Sequence, residues 1–429
     1  MKSFSHKIFS IRRAFAFFAT ISTAFAVTTF GAETNSIPVQ AEPFYGEHQS
    51  GVATSRQLNM YFAAFDLITT NRDDVVKLLK AWTAAAARMT QGETAQPLEN
   101  GFRPAVPPAT NAVNGGDYET PDPSTMAADT GEAIGLPPAR LTVTFGFGAG
   151  LFVKDGKDRF GLAARRPEAF VDMPKFANDQ MIEGRTDGDL AVEACADDPQ
   201  VAFHAIRQLA RIGEGVVQIR WVQTGYWPTE HRHLLGFPAE AMGVSPDDAQ
   251  AMNDSVWVGS DGPEWMRGGT YQVVRRIRFA LEHWDHMPVA YQEKAIGEMK
   301  HPHSEDDANT NAPATDADGE DIPSHLRIVG PRADTMLRRS FSYNDGVSVI
   351  TERWPPWRQA LEYDAGMFFI CYQNDPREGF IGLYDKMSKY DVMLNQFWTH
   401  TGSGLFAIPP GAKKGEYIGQ HLFEPSSQP

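Results

Sequence analysis

The sequence predicts an α+β fold made of two ferredoxin-like domains with antiparallel sheets. Three observations predict it. Between residues 61 and 222 the pattern runs strand, helix, strand, strand, helix, strand, which is the order of the split β-α-β unit. A similar order recurs after residue 255. Finally, Asp198-Pro199-Gln200-Val201-Ala202-Phe203 and Asp375-Pro376-Arg377-Glu378-Gly379-Phe380 share the pattern D-P-x-x-x-F; each follows a strand holding a cysteine and opens a helix. An echo at that separation has the length of a domain.

The elements follow in order. Tyr61–Thr69 reads as a strand. Asp73–Met89 reads as a helix, with acids in its first turn and Leu, Ala and Trp at helical spacing. Residues 96–139 are rich in Pro, Gly, Asn and Thr and mark a long surface excursion. Leu141–Phe147 and Asp189–Ala196 are strands, Pro199–Ile212 carries a helical stripe through Phe203, Ile206 and Leu209, and Val216–Val222 returns as a strand. In the second half, Tyr271–Ala280 is strand-like, Pro288–Met299 helical, 301–324 an acidic loop, Met367–Tyr372 a buried strand and Arg377–Met387 a helix.

The chain has 429 residues, 42% of them hydrophobic, with 27 Phe, 12 Tyr and 9 Trp. That fills a core and excludes wholesale disorder. A formal charge of −15 has the wrong sign for gripping phosphate backbones, so a nucleic-acid partner is excluded. Cys195 and Cys371 allow at most one bridge and no cysteine-rich metal cluster.

Residues 1–32 have the layout of a secretory signal. Lys2, Lys7, Arg12 and Arg13 precede an uncharged run from Ala14 to Ala32 that ends in small residues. The Arg12-Arg13 pair before a weakly apolar run resembles a twin-arginine signal, which exports folded proteins. Removing this segment takes four cations and no acids, leaving a charge near −19. No later run reaches the length of a membrane span, so the processed chain is expected to be soluble, in the periplasm or outside the cell.

Several patterns carry little chemistry. Gly146-Phe147-Gly148-Ala149-Gly150 has G-x-G-x-G spacing rather than G-x-G-x-x-G. It reads as a strand end where backbone approaches something closely. His301-Pro302-His303 with Glu305, Asp306 and Asp307 reads as a solvated acidic loop before it reads as a metal site. His231, His233, His283 and His286 read as surface or structural residues. No H-E-x-x-H, G-x-S-x-G or C-x-x-C occurs.

The segment around His325 differs. One histidine follows the acidic loop, and Arg327, Arg332, Arg338 and Arg339 lie within fifteen residues of it. Cations around a single imidazole suit a haem, whose two propionates need neutralising. An arginine-rich strand facing water is the bland alternative.

These residues resemble the dye-decolourising (DyP-type) haem peroxidases, particularly the exported deferrochelatase/peroxidase branch. The matching stretches are Ser324–Arg332, Met336–Tyr343, Thr144–Gly148, Gly188–Pro199, Trp265–Arg278, Phe369–Ile381 and Gly402–Gly411, in order across roughly residues 55–415. The resemblance implies a dimeric α+β barrel-like pair of domains, 55–240 and a haem-binding 241–415. It implies haem b, with His325 as the proximal iron ligand, Arg338 over the distal face, and haem contacts at Gly330-Pro331-Arg332 in which Arg332 meets a propionate. Asp375 is the carboxylate expected to orient His325. The expected substrates are hydrogen peroxide and a bulky organic electron donor, with release of iron from haem as a further activity. A homo-oligomer stays open.

The chain departs from the family pattern at two places. The distal Gly-x-x-Asp-Gly motif aligns with Gly236-Phe237-Pro238-Ala239-Glu240, so Ala239 stands at the aspartate and Glu240, one position on, is the substitute base. Asp187, in a literal Gly184-Arg185-Thr186-Asp187-Gly188, reads as a coincidental match. Glu298 stands where relatives carry an arginine that contacts haem. The competing expectation, a haem-handling protein without turnover, follows from Ala239.

Overall fold

Helices and strands form where the apolar spacing asks for them. The computed structural model describes residues 40–106, 123–177, 179–228, 232–238, 243–301, 324–348 and 362–424. Residues 1–32, read as an export signal, and His231, His303, Ala239 and Glu240 lie outside the described residues. In the first half β1 (Asn59–Leu67), α1 (Arg72–Met89), β2 (Thr142–Gly148), β3 (Leu190–Ala196), α2 (Pro199–Ile212) and β4 (Val217–Tyr226) follow the expected order. Asn71 caps α1 by accepting the Asp73 N–H, and Asp73, Asp74 and Arg88 complement the helix dipole. Asp198 caps α2 through the N–H groups of Gln200 and Val201, at 2.7 and 3.2 Å. The Trp82 indole donates to the Leu209 carbonyl at 2.7 Å and ties the two helices together.

The second half contains β5 (Thr270–Phe279), α3 (Val289–Ile296), α4 (His325–Val329), β6 (Leu337–Arg338), β7 (Phe341–Ser348), β8 (Glu362–Gln373), α5 (Gly382–Tyr390), α6 (Val392–Gln396) and β9 (Trp398–Ile408). Three expectations change here. Residues 377–381 form a wide turn with a kink at Gly379, and α5 starts only at Gly382. The helix expected over 288–299 stops at Ile296, because Gly297 takes a left-handed φ of 104° that ends it. The strand β9 was not foreseen: Trp398–Ile408 is buried along its whole length and lacks the polar alternation that marks a half-exposed strand.

The sheet order explains how the halves join. The first half is ordered β2-β3-β1-β4 and the second β9-β5-β8-β7, the same arrangement used twice. β2 pairs with β9 (Phe147 opposite Ala407), and β4 with β7 (Tyr226 opposite Ser342). Since β5 also pairs with β8, eight antiparallel strands close into a ring. β6 lies beside Cys371 and Tyr372, extending the edge of β8 that β7 occupies. Closure removes exposed sheet edges.

Residues two apart share a strand face, so Phe62, Ala64, Trp221, Val274, Phe368, Ile370 and Phe406 fill the ring. The outer faces pack on the helices through Phe65, Trp82, Phe145, Val192 and Leu209. Gly148 sits where backbones meet, since a Cβ there would lie 1.8 Å from the Gly188 carbonyl oxygen. This is the close approach expected of the G-x-G-x-G run. Cys195 and Cys371 are buried free thiols.

One polar cluster pins the excursion before β2 to α2. His204 Nε2 faces Asp129 Oδ2 at 3.4 Å, and Nδ1 faces Glu132 Oε1 at 3.1 Å. The carboxylates address opposite ring nitrogens, which suits an imidazolium between two acids better than one shared metal ion.

Candidate active site

A cavity of about 430 Å³ lies between the outer face of the second half's sheet and the helices α4, α5 and α6. Side-chain alternation puts Ile277 and Phe279 of β5, Met367 and Phe369 of β8, and Trp398 and His400 of β9 on this wall. Leu383 and Met387 of α5 and Leu394 of α6 complete an apolar floor. Into this wall the sequence inserts His325 and Arg338, the two residues singled out from its motifs. Segments distant in sequence meet there.

His325 opens α4, and its Nδ1 lies 2.7 Å from Asp391 Oδ2. Asp391 is completely buried, and its other oxygen accepts the Met393 N–H at 2.8 Å as the N-cap of α6. A carboxylate oxygen accepts from an Nδ1–H, and the tautomer that bond favours leaves the lone pair on Nε2. The Trp398 ring packs edge-on against the imidazole, centroids 4.7 Å apart, limiting its rotation. The orienting acid is therefore Asp391, and the expectation for Asp375 is corrected. Asp375 instead binds its neighbour Arg377, with Oδ2 2.6 Å from Nη2 and Oδ1 accepting the Arg377 N–H at 2.9 Å. Its place after a strand and before Pro376 makes it an acceptor for the N–H two residues on, as Asp198 is for Gln200.

Arg338 lies on the two-residue strand β6 and lines the cavity; burial pulls its guanidinium down to about 10, still charged at neutral pH. Gly243 borders it, since a Cβ there would stand 3.6 Å from Arg338 Nε. Pro238 lines the cavity too. The described residues on either side of 239–242 thus both reach this site. Asp187 is not on the cavity wall; its carbonyl accepts from the Trp221 indole at 2.9 Å, and its φ of 54° marks a turn.

Gly330 follows α4 directly and begins a tight turn over Gly330–Thr335, which carries the backbone of Pro331 and Arg332. Glu298 does line the cavity, as its alignment with a haem contact implied.

Residues not foreseen also line the site. Arg56 and Trp227 come from the first half, and His233 from the segment joining the halves. Burial, followed by the charges of His325, Arg232 and Lys300, holds His233 down to about 4. On β9, His400 Nδ1 accepts from Arg275 Nε at 2.9 Å. Burial and that arginine keep its imidazole neutral, with the proton on Nε2. Tyr384 lies against it, ring centroids 4.9 Å apart. Only the Trp-x-His spacing, which puts both side chains on one strand face, signals this group in sequence.

Comparison with known proteins places this geometry. The family model described as Dyp-type peroxidase, N-terminal, matches residues 49–227, and Dyp-type peroxidase, C-terminal, matches 230–413. A deferrochelatase of Escherichia coli (strain K12) is 30% identical over 412 residues, covering 89% of this chain and 87% of that protein. Ferric DtpA from Streptomyces lividans superposes with a TM-score of 0.72 at 33% identity, covering 90% of this chain and 97% of the other. A DyP-type peroxidase from Cellulomonas bogoriensis gives a TM-score of 0.71 at 30% identity, over 90% and 98% of the two chains. With both halves matched in order, and a carboxylate-oriented histidine sharing one cavity with an arginine, the chain belongs to the Dyp-type peroxidase family of haem enzymes.

Proposed function

We propose that this protein reduces hydrogen peroxide at haem b and oxidises bulky organic donors, and that His325 would hold the haem iron while Arg338 would supply a cation in the same cavity. The carrying observation is the His325–Asp391 pair at 2.7 Å inside an apolar cavity that also holds Arg338. The residues fit the group: a wide apolar wall for a flat macrocycle, one imidazole presenting Nε2, and guanidinium charge on the same wall. Haem, when bound, supplies an iron centre that accepts oxidising equivalents from peroxide and passes them to a donor.

The chain's own residues do the rest. Asp391 holds the Nδ1 proton and raises the basicity of Nε2. Arg338 supplies a fixed positive charge where negative charge develops as the O–O bond breaks. Glu240 is the base that moves a peroxide proton. Supporting it, the residues that flank 239–242 border the cavity and Arg338. Gly330, Pro331 and Arg332 contact the macrocycle, and Arg332 neutralises a propionate. We further assign residues 1–32 to a twin-arginine export signal, with the domains divided at 55–240 and 241–415. The name of the Escherichia coli relative adds release of iron from haem as a second reaction to assay.

Reconstitution with haemin tests the assignment. Wild type is expected to give a Soret band that His325→Ala shifts or loses, and to oxidise dye with peroxide. An unchanged spectrum in His325→Ala would remove its assignment as the residue that holds the iron. A wild-type ferric spectrum that peroxide does not alter would favour the non-catalytic, haem-handling alternative that Ala239 suggests.

A further inference from the structure

Trp398 and His400 stand two residues apart on β9 and so share the strand face that walls the cavity. Both side chains are buried. Among the described residues, neither Nε1 of Trp398 nor Nε2 of His400 has a hydrogen-bond partner. Both atoms are donors. An indole nitrogen has no other form. In His400 the form is set from behind: Arg275 Nε donates to Nδ1 at 2.9 Å, and a guanidinium can only donate, so the proton of the ring sits on Nε2. Arg275 is held in turn by Asp179 through Nη2 and by Ser403 Oγ, 3.1 Å from Nη1. Ring packing fixes the donors further, with Tyr384 4.9 Å from His400 and Phe279 stacked 5.6 Å from Trp398, centroid to centroid.

The cavity thus presents two imidazoles in opposite tautomers. The bond to Asp391 leaves a lone pair on His325 Nε2, whereas the bond from Arg275 leaves an N–H on His400 Nε2. The first suits a metal and the second an oxygen. A buried donor left without an acceptor is destabilising, so two of them on one cavity wall point to an acceptor that arrives with the ligand. Asp179 offsets the charge of Arg275, and Glu298 lines the cavity along with Arg56 and Arg338. The pair on β9 works through directed N–H groups and draws on no excess of positive charge.

We infer that Trp398 Nε1–H and His400 Nε2–H form a carboxylate-binding subsite on β9, and that in the haem-loaded protein the carboxylate is a haem propionate. This rests on the haem reading above. Haem b carries oxygen only in its two propionates, so these are the acceptors it brings to a donor on the wall. Residues two apart on a strand lie roughly 6.5 Å apart, a spacing at which two donors can serve the two oxygens of one carboxylate.

The test loads the full chain with haemin or with haemin dimethyl ester, in which both carboxylates are blocked. Trp398→Phe removes the indole N–H and keeps an aromatic ring beside His325 and Phe279. It is expected to weaken haemin binding about tenfold and ester binding far less, because a hydrogen bond to a charged acceptor is the stronger one. His400→Leu should act in the same direction. With haemin bound, the propionate bending band in the resonance Raman spectrum should shift in Trp398→Phe. Equal losses for haemin and its ester in Trp398→Phe, or no loss with either, overturn the inference even if His400→Leu does not fold. Benzoate separates a free organic acid from the propionate: if it binds the haem-loaded wild type and Trp398→Phe weakens it about tenfold, the donors serve a substrate acid and the propionate assignment falls. A wild-type chain that binds neither pigment overturns the haem reading and this inference together. Normal haem binding with an insensitive Trp398→Phe overturns this inference alone.

Discussion

Asp391 divides its two carboxylate oxygens between His325 Nδ1, at 2.7 Å, and the Met393 N–H, at 2.8 Å. One buried acid thus caps α6 and orients the ring that faces the cavity. The ring angle and the start of the helix are mechanically one feature.

Asp391→Ala should weaken haem affinity by about 10–100-fold, the usual cost of removing such a partner. Asp391→Asn keeps the shape but not the charge, so the ferric/ferrous midpoint potential should rise while haem stays bound. Asp375→Asn should leave both quantities unchanged, because that acid serves Arg377. Haemin titration and spectroelectrochemistry measure these outcomes, and equal effects at 375 and 391 would contradict the assignment.

Arg338→Leu should slow the reaction with peroxide by about 10²–10³-fold, the scale of losing one preorganised charge-stabilising donor. Haem affinity should change far less. Stopped-flow mixing with peroxide gives the first quantity and haemin titration the second.

Ala239→Asp should raise the peroxide rate at neutral pH by restoring a short-armed base. Glu240→Gln should lower it by about 10²-fold or more if the longer carboxylate is the working base. A fast Glu240→Gln enzyme would assign proton transfer to another group or to solvent.

The Asp129–His204–Glu132 clasp makes stability depend on pH in two windows. Burial alone would raise Asp129, but His204 and the N–H groups of Gly131 and Ala95 hold it at about 2. Its stabilisation is present above the ordinary aspartate range near 4 and is lost as pH falls toward 2. Burial alone would lower His204, but Asp129 and then Glu132 outweigh it and raise the imidazole. That contribution is complete below the ordinary histidine value near 6.5 and fades as pH rises through the raised one. Among the described residues, Arg207, 3.3 Å from Glu132, Arg211 beside Asp129, and Glu93, which lines the same small cavity, also bring charge to the cluster. His204→Gln should flatten the alkaline limb in melts across pH, and an unaltered limb would exclude His204 as its source.

What sequence could reveal follows from how each element is specified. α1 and α2 were legible because a capping acid or amide and an apolar stripe define them locally. The cation-rich run around His325 and the family resemblance singled out His325 and Arg338, and both line the cavity. Asp391 was not, because the fold brings it to His325 across 66 residues and its nearby pattern reads only as a helix cap. Arg56 was hidden for the same reason, since the Arg338 carbonyl that it donates to lies 282 residues away. Asp375 misled because it stands beside a buried strand and repeats Asp198, a symmetry of backbone capping rather than of site chemistry. β9 escaped because burial on both faces erases period-two alternation.

The pairing of β2 with β9 and of β4 with β7 bears on synthesis. A ribosome that has released only the first half leaves β2 and β4 waiting for partners not yet made. The pigment pocket takes walls from both ends of the chain, so it can be completed only after residue 400 has emerged. Loading is thus a late, whole-molecule event. A chain cut between the halves should yield fragments that stick to each other, or to themselves, before either acquires colour.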